Sequence, residues 1–208
     1  RSSSAYRCRI AFSLKQVPYE FVSVPLRKDG GQQKTPEYRA LNPQALVPTM
    51  VAGDFTLTQS LAIVEWLDET HGGPKLLPED ANLRAKVRAF AQVIACDIHP
   101  LQNLRVLDYL KAELGHDQKV ADAWCRRWLG DGLRACEDMI AKEPASGRFC
   151  FGDEPGLADI CLVPQIFSAH RFGVDLTGMP RLREIHAACE ELPAFADAHP
   201  SRQPDTEA

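Results

Sequence analysis

Three short stretches of this chain carry residue types that could do chemistry. The first is Arg1-Ser2-Ser3-Ser4, which runs straight into the basic, apolar-periodic Ala5-Tyr6-Arg7-Cys8-Arg9-Ile10-Ala11. Serines in that place read as an N-cap and first helical turn. Such a turn presents free backbone N–H groups and the positive end of the helix dipole, a setting that suits an anion. A serine hydroxyl there can also donate to a bound thiolate or carboxylate. The second stretch is Gln59-Ser60, ahead of the strongly apolar Leu61 to Thr70, and it reads as a second helix start of the same kind. The third is Val47-Pro48, whose preceding backbone could pair with an extended peptide as an added strand; the Pro in so tight a turn is a candidate for a cis bond. Singly, the three read equally well as cap, turn and cap. Together they suit a ligand with a carboxylate at one end, a peptide-like middle and a thiol, which describes glutathione.

The elements that would hold these stretches follow from hydrophobic period and punctuation. Ser2 to about Gln16 reads as a helix with Ile10, Ala11 and Leu14 on one face, stopped by Val17-Pro18. Tyr19 to Val24 alternates apolar and polar and reads as a half-buried strand. Lys28 to Gln33 is a loop, and Glu37 to Leu41 forms one or two helical turns. Thr49-Met50-Val51 and Phe55-Thr56-Leu57-Thr58 flank Ala52-Gly53-Asp54 as a hairpin. Gly72-Gly73-Pro74 ends the Gln59-Ser60 helix, and Leu76 to Asp80 is a linker.

Beyond it the pattern is helical. Leu83, Val87, Phe90, Ile94, Ile98 and Leu101 keep a three-to-four spacing, with a kink expected near His99 because Pro100 removes a backbone donor. Further helices are expected from about Val120 to Ala141, from Leu157 to about Arg171, and from Met179-Pro180 onward. The tail from His199 reads as loose. The fold class expected is α+β: a thioredoxin-like α/β domain over residues 1–77, followed by an all-helical domain over residues 83–208. Because the chain opens on Arg1, directly at the serine cap, a short preceding segment is expected.

Composition narrows the function. A formal net charge of −4 argues against nucleic acid as a partner, and no apolar run reaches the ~18 residues of a membrane span. The seven cysteines include no C-x-x-C pair and mostly fall in apolar-periodic stretches. They read as small hydrophobes in a reducing compartment, the cytoplasm, rather than as metal ligands.

Arg1-Ser2-Ser3 through Arg9-Ile10-Ala11, Lys28-Asp29-Gly30-Gly31-Gln32-Gln33, Leu41-Asn42-Pro43, Val47-Pro48-Thr49 and Gln59-Ser60-Leu61-Ala62-Ile63 resemble the zeta-class glutathione transferases. So do Pro100-Leu101-Gln102-Asn103, Ala158 to Gln165, Arg171 to Leu176 and Arg202-Gln203-Pro204-Asp205, so the resemblance spans the chain. It implies the glutathione transferase fold, with one more strand ahead of Arg1, glutathione as cofactor and a homodimer. The activity implied is the isomerisation of maleylacetoacetate to fumarylacetoacetate in tyrosine breakdown. In that chemistry a thiolate adds to the cis double bond, the bond rotates as a single bond, and expulsion of the thiolate leaves the trans isomer.

The resemblance also implies roles. Ser3, then Ser2, would steady the thiolate. Val47 would pair with the cysteinyl part before a cis Pro48, and Gln59 and Ser60 would take the γ-glutamyl carboxylate. Gln32 or Gln33 would reach the glycyl end, with Gln102 and Asn103 as further contacts. Arg1 and Arg171 would clamp the substrate carboxylates, since guanidinium matches carboxylate bidentately; Arg171 reads otherwise as a cation at a helix C-terminus. His99 reads as a ligand contact or as a structural residue beside Pro100.

Two positions depart from the family pattern. Ser4 stands where cysteine is frequent, and Gly156 stands where Ser or Thr would cap the helix carrying Asp159. Rival readings are isomerisation of maleylpyruvate, attack on small α-halo acids, and a non-catalytic binding protein. A scaffold would need neither the serines, nor Gln59-Ser60, nor the two arginines.

Overall fold

The computed structural model describes residues 2–206, so Arg1 lies outside the described residues. The chain divides into two compact units, Arg1–Leu76 with Pro193–Ala208, and Leu77–Leu192.

In the first unit, helix α1 (Ser3–Leu14) starts as its serines require: Ser2 is extended, and its hydroxyl accepts from the Ala5 N–H at 3.3 Å. The helix buries Tyr6, Arg7, Ile10 and Ala11 and packs against α3 (Ser60–Thr70). A buried ion pair joins the two helices, with Lys15 Nζ 3.1 Å from Asp68 Oδ1. The same carboxylate oxygen accepts from the Leu76 N–H, and Lys15 also donates to the Pro74 carbonyl, so the charges are paired and hydrogen-bonded as burial demands.

Between α1 and α3 come α2 (Pro36–Leu41), capped by Thr35, and the antiparallel strands β1 (Thr49–Ala52) and β2 (Phe55–Thr58). Thr49 faces Thr58 and Ala52 faces Phe55, across a two-residue turn in which Gly53 takes φ +60°. Tyr19 to Val24 is not a strand, contrary to its alternating pattern. The described sheet consists of β1 and β2 alone, and a strand needs a neighbour for its backbone N–H and C=O groups.

The second unit is helical: α4 (Ala81–Gln92), α5 (Leu104–Ala112), α6 (Gln118–Ala141), α7 (Leu157–Phe172) and α8 (Pro180–Glu190). The expected kink before Pro100 is spread over ten residues. The chain widens to a π-helix over Val93–Ile98 and tightens to a 3₁₀ turn over His99–Gln102. The spacing through Leu101 does not reveal α5, which begins afresh at the Asn103 cap. α6 approaches the widened segment closely: a Cβ on Gly132 would lie 2.4 Å from Ile98 Cγ1. Met179 offers α8 no side-chain cap. Glu137 of α6 supplies one from outside, accepting from Arg181 N at 3.0 Å and Leu182 N at 2.8 Å.

Pro193–Ala208 groups with Arg1–Leu76, and the described residues from His199 to Thr206 are tied by hydrogen bonds rather than loose as their composition suggests. Helix α9 (Pro193–Asp197) packs on α1, Tyr6 Oη donates to the Phe195 carbonyl, and Arg9 Nε donates to the Ala198 carbonyl at 3.0 Å. Pro200–Arg202 forms a 3₁₀ turn with Pro200 buried. Among the described residues no helix is long and apolar enough to cross a membrane.

Candidate functional site

The three chemistry-bearing stretches come together in the first unit, tied by side chains of α1. Ser4 Oγ donates to the Val47 carbonyl at 3.1 Å, and Arg7 Nη1 donates to Ser60 Oγ at 3.3 Å. The first bond links the start of α1 to the Val47-Pro48 loop, and the second links α1 to the start of α3. Ser2 Oγ, besides capping α1, lies 3.2 Å from Ser4 Oγ. Ser3 is the first residue of α1 and is buried, 5 % exposed.

The Val47–Pro48 bond is cis. Its loop is held by polar side chains that converge on the preceding carbonyl: Asn42 Nδ2 and Tyr38 Oη both donate to Leu46 O, at 2.6 and 2.8 Å. Burial pushes the Tyr38 phenol up from its usual range, so it remains a donor at neutral pH.

The start of α3 differs from its sequence reading. Neither Gln59 nor Ser60 caps the helix. Gln59 occupies the N-cap position in a left-handed conformation, φ +72°, with no side-chain cap bond; its amide donates to Gln44 Oε1 at 2.8 Å. Ser60 is buried on the first helical residue, its hydroxyl accepting from Arg7. A helix start with no capping side chain keeps its first N–H groups for another acceptor.

The other expected contacts are placed individually. Gln32 is exposed on a 3₁₀ turn, while Gln33 is buried and donates to the Leu26 carbonyl. In the second unit, Asn103 caps α5 by accepting from Arg105 N at 3.1 Å, and Gln102 has a buried Nε2 with no hydrogen-bond partner. His99 opens the 3₁₀ turn. Arg171 is exposed in the last turn of α7, with its guanidinium carbon 5.3 Å from the Phe172 ring centroid.

The sequence reading passed over Arg7. The signal was present: Arg7, Ile10, Ala11 and Leu14 follow the i, i+3, i+4, i+7 spacing of one helix face, so Arg7 falls on the apolar stripe. The cysteines form no disulfide, and burial pushes the thiols of Cys125 and Cys136 up to about 11 and about 12, which keeps them neutral near pH 7.

The start of α1, a cis-Pro loop and the uncapped start of α3 are thus joined within the first unit by side chains of α1. The chain belongs to the glutathione S-transferase family: the N-terminal domain model of that family matches residues 1–70 and the C-terminal domain model matches residues 104–191. It is 46% identical over 209 residues to a maleylacetoacetate isomerase of Pseudomonas aeruginosa, covering 100% of this chain and 96% of that one. A solved maleylpyruvate isomerase, described as a bacterial zeta-class glutathione S-transferase, superposes with a TM-score of 0.95 at 48% identity, covering 99% and 96% of the two chains. A maleylacetoacetate isomerase of Methylobacterium extorquens AM1, solved with malonate and glutathione, superposes with a TM-score of 0.95 at 41% identity, covering 100% and 96%.

Proposed function

We propose that the chain catalyses the glutathione-dependent isomerisation of maleylacetoacetate to fumarylacetoacetate. The observation that carries this reading is the linkage of the start of α1, the uncapped start of α3 and a cis-Pro loop by α1 side chains, in a chain that matches isomerases along its whole length. The residues present fit glutathione. The uncapped start of α3 with Ser60 suits its γ-glutamyl carboxylate, the cis-Pro loop suits its peptide middle, and Ser3 at the start of α1 suits its sulfur. When bound, glutathione supplies the thiolate that adds to the cis double bond and leaves after rotation.

The chain's own residues do the rest. The N-terminus of α1 and the Ser3 hydroxyl favour the charged form of a thiol, as at other helix starts. Ser3 is assigned to this contact first, and Ser2, whose hydroxyl caps α1, second. Ser4 holds the Val47-Pro48 loop against α1. Gln32, Gln102 and Asn103 are assigned to glutathione as further contacts, and His99 to substrate. Arg1 and Arg171 are assigned to the two substrate carboxylates, which must stay held while the bond between them turns. A homodimer in the cytoplasm, acting in tyrosine breakdown, belongs to the same reading, and cysteines without disulfides suit a reducing compartment.

Maleylpyruvate is the second reading, favoured by the 48% identity to a maleylpyruvate isomerase. The test offers purified protein both maleyl acids in parallel, with and without glutathione, and follows loss of the cis enone absorbance. Faster turnover of maleylacetoacetate, abolished without thiol, is the expected result. Turnover without any thiol, or a preference for maleylpyruvate, overturns the assignment.

A further inference from the structure

Arg7 is 1 % exposed, yet only its Nη1 has an acceptor, Ser60 Oγ; Nε and Nη2 have none. Among the described residues no carboxylate lies within ion-pair distance of it. Lys15, buried at the C-cap of the same helix, shows the ordinary arrangement, with Asp68 and the Pro74 carbonyl both bound to its ammonium. A buried cation without a counter-charge costs several kcal/mol, so the fold bears a penalty at Arg7 that it avoids at Lys15.

The one bond Arg7 does make explains what the charge is for. Because Nη1 donates to Ser60 Oγ, a lone pair of that oxygen is occupied and the hydroxyl proton is turned away from Arg7. Ser60 stands at the open start of the eleven-residue helix α3, whose neighbouring Gln59 side chain is drawn off to Gln44. Guanidinium, hydroxyl and the side-chain-uncapped first N–H groups of α3 therefore bring a series of donors to one helix start.

We propose that Arg7 is a positioning residue for an amino-acid carboxylate bound at the start of α3, acting through the hydroxyl of Ser60. It does not touch the ligand; it fixes the donor that does and leaves its own charge uncancelled behind it. The inference rests on assigning the γ-glutamyl carboxylate to that helix start.

The test is calorimetric titration of the whole protein with glutathione and with γ-aminobutyryl-cysteinylglycine, the same tripeptide lacking that carboxylate. Wild type, Arg7→Met, Arg7→Lys, Ser60→Ala and the Arg7→Met/Ser60→Ala double variant are compared. Wild type is expected to prefer glutathione. Arg7→Met should lower glutathione affinity about 10- to 100-fold, the range for hydrogen bonds to charged groups, and leave the analogue's affinity unchanged. Arg7→Lys should recover part of the loss. The double variant should lose no more than the worse single one, because the two residues act in series. Equal weakening of both ligands by Arg7→Met makes Arg7 merely structural, and an undiminished preference removes it from the site; either overturns the proposal while the carboxylate assignment stands. A wild type that binds both ligands equally overturns that assignment and the proposal with it. Should Arg7→Met fail to fold, Arg7→Lys decides: a preference between those of wild type and Ser60→Ala supports the relay, and one equal to wild type overturns it.

Discussion

At Ser3 the hydroxyl lies on the first residue of a helix whose cap is made by Ser2, so Ser3→Ala leaves that cap in place. Ser3→Ala is expected to raise the pKa of bound glutathione and slow turnover by roughly 10- to 1000-fold, as for a lost oxyanion donor. Thiolate absorbance against pH reads it, and an unchanged titration would move the role to Ser2. Arg171 calls for a different measurement, since a carboxylate clamp matters only to an anionic substrate. Arg171→Ala should raise KM for the maleyl acid, with a loss of about 2–4 kcal/mol in kcat/KM, and leave conjugation of an uncharged electrophile nearly unchanged. Equal losses on both substrates would count against the clamp. The cap at Ser2 and the cis Pro48 were legible in the sequence, because serine before an apolar run favours a cap and paired prolines before a hairpin favour a tight turn. Arg7 is easily passed over despite its place on the apolar stripe, because a cation on a helix is usually solvated, whereas here it is buried.

Among the elements, the start of α7 shows a cap only half made. Asp159 Oδ2 accepts from the Gly156 N–H at 2.9 Å and Oδ1 accepts from Cys150 N, but glycine has no side chain to return the bond. Gly156 is extended, at φ −137° and ψ −161°, a conformation open to any residue. Gly156→Thr should therefore complete the pair and stabilise the fold by a few tenths to about 1 kcal/mol; a lower melting temperature would refute this. Helix starts of this kind could be read locally. Two other elements could not. Tyr19 to Val24 has the alternation of a strand, but strand formation depends on a neighbour that local pattern does not supply. The π-helix before Pro100 was foreseen only as a kink, because the proline's missing N–H and its ring disturb bonds upstream of it, and the packing of Ile98 against Gly132 decides how far.

For the molecule as a whole, the buried thiols set an alkaline limit. Burial raises the thiols of Cys125 and Cys136 to about 11 and about 12, and those of Cys150 and Cys189 also rise. The folded state thus keeps protons that the unfolded chain releases near pH 8–9. Since the slope of stability with pH follows protons bound unfolded minus folded, the sign is negative: stability is full below about pH 8 and falls as pH climbs toward the folded values. Urea midpoints at pH 7.5 and 10 should show the loss, and Cys136→Ala should make the difference smaller; an unchanged difference would exclude the thiols as its cause. The two-domain plan was legible from the change of hydrophobic period near residue 77, whereas the destination of the tail was not, since polar residues and prolines say nothing of what they pack on. That destination has a consequence for synthesis. Tyr6 and Arg9 wait for the carbonyls of Phe195 and Ala198, and a ribosome must make all of Leu77–Leu192 in between, roughly ten seconds' work at about 5–20 residues per second. The first unit is therefore completed only after the second has been made, and the nascent chain carries it without the partners of Tyr6 and Arg9 until Phe195 and Ala198 are added.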